Sequence, residues 1–283
     1  MTIETERLIL RPWEDSDAEE CFKYARDPRI GPPCGWKPHP DVDHTKQIIR
    51  TILSEPETYA MVLKETGLPV GSISLNHPTE LASLDDEAEL GYWLGQPYWG
   101  RGIVPEAARA LLRRAFSEIG LSRVWCGYYE GNEKSRRVQQ KLGFRHQWTS
   151  DRVPVPQMGE VRKGFVSLLT REDWERSLLR RVRITVKRIA RYDDLISAYE
   201  NHIEHACEMT EGASFVSVGG ERPEGFCDSA WGSVAPFVRE LAAGGGDFFD
   251  GWMRNPRSAM ISCNDGFRPV SFLLETEEEA GHE

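Results

Sequence analysis

The sequence predicts an α/β (α+β) protein: a mixed β-sheet flanked by helices, followed by a second small α+β domain. Three observations carry this expectation. Runs with the period-two alternation of strands are interleaved with runs at helical spacing over residues 1–175. A chain of 283 residues is long for one compact core. Charge is also uneven, since −8 of the net −10 falls from Arg181 onward.

The elements follow in order. Residues 4–13 alternate as a strand, with Leu8 and Leu10 on one face and Arg7, Ile9 and Arg11 on the other. Residues 15–25 have helical spacing, and residues 31–43, with four prolines and two glycines, form a loop. Helical spacing resumes over 45–53, and strands at 61–64 and 70–75 join through a turn at Thr66 and Gly67. Residues 88–94 form a strand and 95–102 a glycine-bearing loop. Pro105 then opens a helix in which Ala108, Leu111, Leu112, Ala115, Phe116 and Ile119 recur until Gly120 stops it. A strand at 123–129 leads to Asn132, the N-cap of a helix ending at Gly143, and short strands near 144–148 and 164–169 complete the set.

Residues 171–181 are strongly charged and read as a closing turn and linker, the linker proper being 176–181. A second unit, residues 182–275, opens with the alternating strand 181–187. It continues with a helix at 229–243, interrupted or started late by Pro236, and a hairpin at 259–263 and 270–274 around Asn264, Asp265 and Gly266. Residues 276–283, with Glu277, Glu278 and Glu279, are an acidic tail.

Composition excludes several classes. Hydrophobic and charged contents of 40% and 28% suit a soluble globular protein. No run approaches the ~18 apolar residues that span a bilayer. The charged N-terminus lacks the apolar stretch of a signal peptide, so a cytoplasmic location is expected, with no membrane partner. Six scattered cysteines without a CxxC pair read as reduced thiols. The net charge of −10 argues against nucleic acid as a partner.

The most informative stretch runs from Glu89 to Ala107, where a strand feeds a glycine loop and then a helix N-terminus. Such an arrangement converges backbone N–H groups and the positive end of a helix dipole on an anion such as a pyrophosphate. A tight strand-to-helix turn is the plainer alternative. No Gly-Lys-Ser/Thr or GxGxxG is present. Further on stand Asn132-x-x-Ser135 and Lys141-Leu-Gly-Phe144.

With the opening Thr5-Glu-Arg-Leu-Ile-Leu-Arg11, the strand Ala88-Glu-Leu-Gly-Tyr-Trp-Leu94 and the loop Tyr98-Trp-Gly-Arg-Gly102, these motifs resemble the GNAT superfamily. The similarity is to its branch of RimJ/RimL-type ribosomal-protein N-acetyltransferases and covers roughly residues 2–174. It implies a splayed sheet, with acetyl-CoA as co-substrate in the V-shaped gap between the strand 89–94 and the next. Backbone groups near Trp93 and Leu94 are expected to meet the pantetheine arm, together with Asn132. The amides of Gly100, Arg101, Gly102 and Ile103 are expected to hold the pyrophosphate.

The implied reaction carries acetyl to a primary amine, on a small molecule or a protein N-terminus. Ser135 is the candidate proton donor to the leaving sulfur and Glu89 the candidate base acting through water. An N-cap for Asn132, a surface helix position for Ser135 and a structural carboxylate for Glu89 are the plainer alternatives. Trp36 and His39, in the loop 31–43, are candidates for the amine pocket. Two positions depart from the family pattern. Gln139 stands where many members carry a tyrosine acid, and Pro97 stands where the loop commonly opens with glutamine or arginine. They support the alternative of a non-catalytic acyl-CoA-binding sensor, whose second module docks a partner or ligand.

Residues 182–275 resemble a small family of uncharacterised bacterial proteins through Pro223-Glu-Gly-Phe-Cys-Asp-x-Ala-Trp231 and Cys263-Asn-Asp-Gly-Phe-Arg-Pro-Val270. No activity comes with that resemblance. Cys207, Cys227 and Cys263 with His202 or His205 lack the close pairs of zinc sites, and no metal is expected. Asp228, Asp265 and Arg268 read as an ion-pair cluster. A role in homodimer formation is open.

Overall fold

In the computed structural model, residues 1–203, 207–249 and 251–277 are described. The chain divides into two compact units, Met1–Trp174 and Glu175–Glu283.

The first unit is built on an eight-stranded sheet of β1 (Ile3–Glu4), β2 (Leu8–Arg11), β3 (Thr58–Leu63), β4 (Pro69–Asn76), β5 (Glu87–Leu94), β6 (Arg123–Tyr129), β7 (Arg145–Val155) and β8 (Glu160–Thr170). Its order is β1-β2-β3-β4-β5-β6-β8-β7. Every neighbouring pair is antiparallel except β5 and β6, which run parallel. The helices of this unit are α1 (Ala18–Ala25), α2 (Val42–Thr51), α3 (Ile103–Arg113) and α4 (Glu133–Lys141), and α5 (Arg171–Ser177) begins in it and ends in the second.

Strand alternation sends the two sets of side chains into two cores. Leu8, Leu10, Met61, Ile73 and Leu90 pack with the α3 stripe Ala107, Ala108, Leu111 and Leu112. On the other face, Ala60 and Val62 pack with Trp13, Cys21 and Ile49 under α1 and α2. Each fully buried leucine contributes roughly 1.5–3 kcal/mol, so the stripe anchors the start of α3 firmly against the sheet.

Four local readings differ from the sequence expectation. The strand expected over 4–13 is two short strands, because Thr5 N–H bonds Leu8 O at 2.9 Å and turns the chain. The helix ending at Gly120 finishes as a π-turn, Arg114–Ile119. Strands β7 and β8 are far longer than expected, at 11 residues each. Residues 171–177, read from their charge as turn and linker, are α5, because Trp174 is only 4% exposed and lies 6.0 Å from Phe116 between ring centroids.

The second unit is a four-stranded antiparallel sheet of β9 (Val182–Ile189), β10 (Ser214–Ser217), β11 (Ser258–Ser262) and β12 (Val270–Thr276) in the order β10-β9-β12-β11. It also holds α6 (Asp193–Tyr199) and α7 (Asp228–Ala242). Val234, Val238 and Leu241 of α7 pack on Ile184, Val186, Phe272 and Leu274. Pro236 neither interrupts nor delays α7 but sits inside it.

The expected cluster of Asp228, Asp265 and Arg268 is not formed. Arg268 instead donates to both oxygens of Glu200 at 2.5 and 2.6 Å. Asp265 accepts its own turn's amides from Phe267 and Arg268, and Asp228 pairs with Arg222. No three His, Cys, Asp or Glu side chains gather as a metal site among the described residues. His205, Glu278 and Glu279 lie outside the described residues. No helix among the described residues is long and apolar enough to cross a membrane.

Candidate active site

The site begins where two strands part. β5 and β6 share three register pairs, Glu87 with Arg123, Ala88 with Val124 and Glu89 with Trp125. Beyond them β5 stays with β4 as far as Leu94 opposite Gly71, while β6 stays with β8 as far as Tyr129 opposite Gly164. A V-shaped gap opens between them. Gly95 N–H bonds Val70 O at 2.8 Å, so alternation along β5 turns the main chain of Leu90, Tyr92 and Leu94 into the gap. Side chains already meet their carbonyls there. Cys126 Sγ is 3.3 Å from Leu90 O, Cys34 Sγ is 3.9 Å from Tyr92 O, and Trp99 Nε1 donates to Leu94 O at 2.8 Å. The cleft that results has a volume of about 1900 Å³.

One end of the cleft is a cradle of amides. Gly100 and Gly102 have φ of +76° and +74°, left-handed conformations that glycine adopts without strain. Gly102 is the N-cap of α3, with no side-chain cap bond. Among the described residues, the amides of Gly100, Arg101 and Gly102 find no acceptor. Ile103 begins the first turn of α3, whose N–H groups have no intrahelical partner. Four adjoining residues therefore offer their amides, with the helix dipole behind them. Lys134, Arg137 and Lys141 of α4 line the same cleft. Glu106, also in the first turn of α3, accepts the Thr5 hydroxyl at 2.5 Å and the Arg7 amide at 2.8 Å. Pairwise spacing in the sequence gave no sign of this contact.

At the centre, Asn132 caps α4, its Oδ1 accepting Ser135 N–H at 3.2 Å, while its Nδ2 reaches Pro33 O at 3.4 Å. Ser135 Oγ lies 2.8 Å from the Tyr92 hydroxyl and accepts from Gln139 Nε2 at 3.3 Å. Gln139 is only 2% exposed. Tyr92 and Gln139 thus join Ser135 in one polar cluster. The sequence reading missed Tyr92, because its place on the strand is the same as that of any half-buried aromatic. Burial pushes the Tyr92 phenol well above its ordinary range.

Glu89 occupies the last register pair before the gap opens and lines the cleft. Burial raises its carboxyl pKa and the Glu80 charge adds to the rise, while the Thr79 hydroxyl opposes it. Alternation puts Glu89 and Tyr92 on opposite faces of the sheet. A nucleophile can thus approach from one face and a leaving group depart toward the other.

Trp93 has its main chain turned to β4. Its indole packs against Trp13 and Trp36, with centroids at 6.1 and 6.2 Å. The main-chain groups offered to the gap are therefore those of Tyr92 and Leu94. Trp36 in turn packs on His39 at 5.3 Å, and the His39 ring bonds Thr45 Oγ1 at 2.9 Å. Both belong to the aromatic packing under α1 and α2; in the preceding turn it is Pro32, Pro33 and Cys34 that line the cleft. Burial, aided by the charge of His44, lowers the His39 pKa to about 4.

This parted pair of strands, with an amide cradle at a helix N-terminus beside it, defines an acyl-group transferase of the GNAT type. The acetyltransferase (GNAT) domain family matches residues 7–145. An N-acetyltransferase of Bacillus licheniformis, p20, is 30% identical over 152 residues, which cover 51% of this chain and 82% of that protein. YdaF of Bacillus subtilis, named as a candidate ribosomal N-acetyltransferase, is 42% identical over 116 residues, 37% of this chain and 55% of that protein. A GNAT-family acetyltransferase structure from Bacillus anthracis superposes with a TM-score of 0.55 at 23% identity, over 61% of this chain and 99% of that one. The chain belongs to the GNAT acetyltransferase family, and it is an N-acetyltransferase.

Proposed function

We propose that the first unit, residues 1–175, transfers acetyl from acetyl-CoA to a primary amine by direct attack in a ternary complex. The single observation that carries this reading is the parting of β5 from β6 immediately after Glu89, with Ser135 across the gap. The unbonded amides of Gly100, Arg101 and Gly102 fit a pyrophosphate, and the inward main chain of Tyr92 and Leu94 fits the amides of a pantetheine arm. Asn132, which already reaches across to Pro33 O, would hold the arm from the other side.

Holding both substrates in one cleft supplies the larger part of the rate advantage. Glu89 aligns a water that takes the proton of the attacking amine, and its raised pKa makes it a stronger base than an ordinary carboxylate. The Leu94 N–H faces the developing oxyanion. Ser135 hands a proton to the leaving sulfur. The acceptor is an amine on a small molecule or a protein N-terminus, and the ribosomal designation of the Bacillus subtilis relative makes N-terminal peptides the first to try.

The test is thiol release from acetyl-CoA by the full chain across small primary amines and N-terminal peptides. Amine-dependent release with sequential kinetics, lost in Ser135→Ala and Glu89→Gln, supports the reading. Saturable acetyl-CoA binding without release from any of them would turn it toward a ligand sensor.

A further inference from the structure

We infer that Tyr92 is a positioning residue for this transfer: with Gln139 it directs the single O–H of Ser135 into the cleft, toward the leaving sulfur. The inference rests on the acetyltransferase reading above and extends it to a residue on the opposite wall of the gap.

Gln139 fixes the first half of the geometry. Its Nε2 lies 3.4 Å from Gly127 O and 3.3 Å from Ser135 Oγ. A carbonyl oxygen can only accept, so the nitrogen and not the oxygen of the amide must face Gly127. The same nitrogen therefore donates to Ser135 Oγ. The Gln139 oxygen, fully buried, is left without a partner among the described residues. That is a cost accepted for holding the amide in this sense.

Tyr92 supplies the second half. Its hydroxyl is 2.8 Å from Ser135 Oγ, a contact in which either oxygen can donate, and 3.3 Å from Ser135 O; the phenol, the stronger acid of the two hydroxyls, is assigned as the donor to Oγ. A serine oxygen has two lone pairs and one hydrogen. Once Gln139 and Tyr92 occupy the lone pairs, the hydrogen must leave in the remaining direction, and both Ser135 and Tyr92 line the cleft. The Asn132 cap, accepting Ser135 N–H at 3.2 Å, stops the serine main chain from drifting. Were Ser135 to donate to Tyr92 instead, its proton would be spent on the phenol.

The proton balance closes without consuming Tyr92. The amine nitrogen bonds the acetyl carbon, the C–S bond breaks, and sulfur takes the Ser135 proton. Two donors aimed at Oγ stabilise the charge that develops there. Ser135 regains a proton from the water that received the amine's. Burial keeps the phenol protonated throughout, as a fixed donor must be.

The experiment is a cycle of Tyr92→Phe and Ser135→Ala in the full chain. It measures kcat, the KM for acetyl-CoA, and acetyl-CoA binding by calorimetry. Tyr92→Phe should lower kcat by about tenfold to a hundredfold with KM held within about twofold. In the Ser135→Ala background the same change should cost less than about twofold, because its route is already gone. A packing role for Tyr92 would cost the same in both backgrounds, and that result overturns the inference. Should Tyr92→Phe not fold, Gln139→Leu removes the other donor to the same oxygen and must show the same loss of effect in the Ser135→Ala background. Wild-type turnover with Tyr92→Phe unimpaired sinks the inference alone. A wild-type chain that binds acetyl-CoA and releases no thiol with any amine sinks the function reading, and this inference with it.

Discussion

Arg7 Nε donates to Glu106 Oε2 at 2.6 Å, joining the turn between the first two strands to the first turn of α3. The same guanidinium donates through Nη1 to Arg101 O at 2.9 Å, inside the amide cradle. Burial alone would raise the Glu106 carboxyl pKa, but the Thr5 hydroxyl, the Arg7 amide and the Arg7 guanidinium outweigh it and hold the value below the usual range. The contact is therefore a strut between the turn at Arg7 and the loop that carries the amide cradle.

Removing that strut should loosen the loop before it unfolds the protein. Glu106→Gln keeps the size and loses the charge, and Arg7 is 44% exposed, so screening limits the stability loss to about 1 kcal/mol. Acetyl-CoA binding should weaken by about threefold to tenfold in calorimetry, with kcat nearly kept. The sign of the pH effect follows from the lowered carboxyl. Its stabilisation is present above the unfolded value near 4.3 and is lost as pH falls through the lower folded value. Wild type should thus lose more melting temperature than Glu106→Gln when titrated into acid, and equal losses would exclude the strut.

Gly102 tests the cradle directly. A Cβ there would meet only Arg7 Nη2 at 3.5 Å, an ordinary contact, so crowding is not the obstacle. The obstacle is φ of +74°, which costs an L side chain about 1–2 kcal/mol. Gly102→Ala should melt lower by that amount and bind acetyl-CoA more weakly, as the amides of Arg101 and Ile103 turn away. A variant with unchanged affinity would show that the cradle does not hold the ligand.

How much of this was legible in the sequence depends on the reach of each signal. The α3 stripe and the strands that carry Leu8, Leu10, Ile73 and Leu90 declare themselves by periodicity, because one face of each is buried. Asn132 declares itself as a cap, since that signal lies within three residues. The short α6 and β10 went unread, because with exposed residues such as Tyr199, at 78%, no face pattern forms. The strongly charged α5 concealed its anchor, Trp174. Contacts such as Glu106 with Thr5, 101 residues apart, have no sequence signature at all. Tyr92 is the instructive case: its residue type was visible, but the partner that makes it chemical is on α4.

His39 gives a second pH window. Its folded pKa is depressed to about 4 against an unfolded value near 6.5, so the unfolded chain binds the proton more readily between those values. Stability should be intact above about pH 6.5 and fall as pH drops toward 4. His39→Gln keeps a polar group for Thr45 Oγ1 and cannot titrate. Melting curves of the two chains should diverge least at pH 7.5 and most near pH 4.5, the variant being the less acid-sensitive. Parallel curves would mean that the His39 ring is not held neutral by its surroundings.

Glu89 separates a catalytic carboxylate from a structural one. A raised folded pKa means that ionising this group costs the folded state more than the unfolded one. Stability is therefore drawn down as pH rises from the unfolded value near 4.3 through the raised folded value. Glu89→Gln escapes that cost, so it should melt higher than wild type at pH 7 and converge with it near pH 4. A carboxylate kept for structure would show the reverse, with the variant melting lower at neutral pH. The acid limb of kcat/KM in wild type should report the same raised value, and Glu89→Gln should flatten that limb while lowering kcat by about a hundredfold. Gain of stability together with loss of turnover identifies a site where the fold gives up stability for chemistry. Loss of both would return Glu89 to the scaffold and leave the amine proton to a cleft water that Glu89 does not assist.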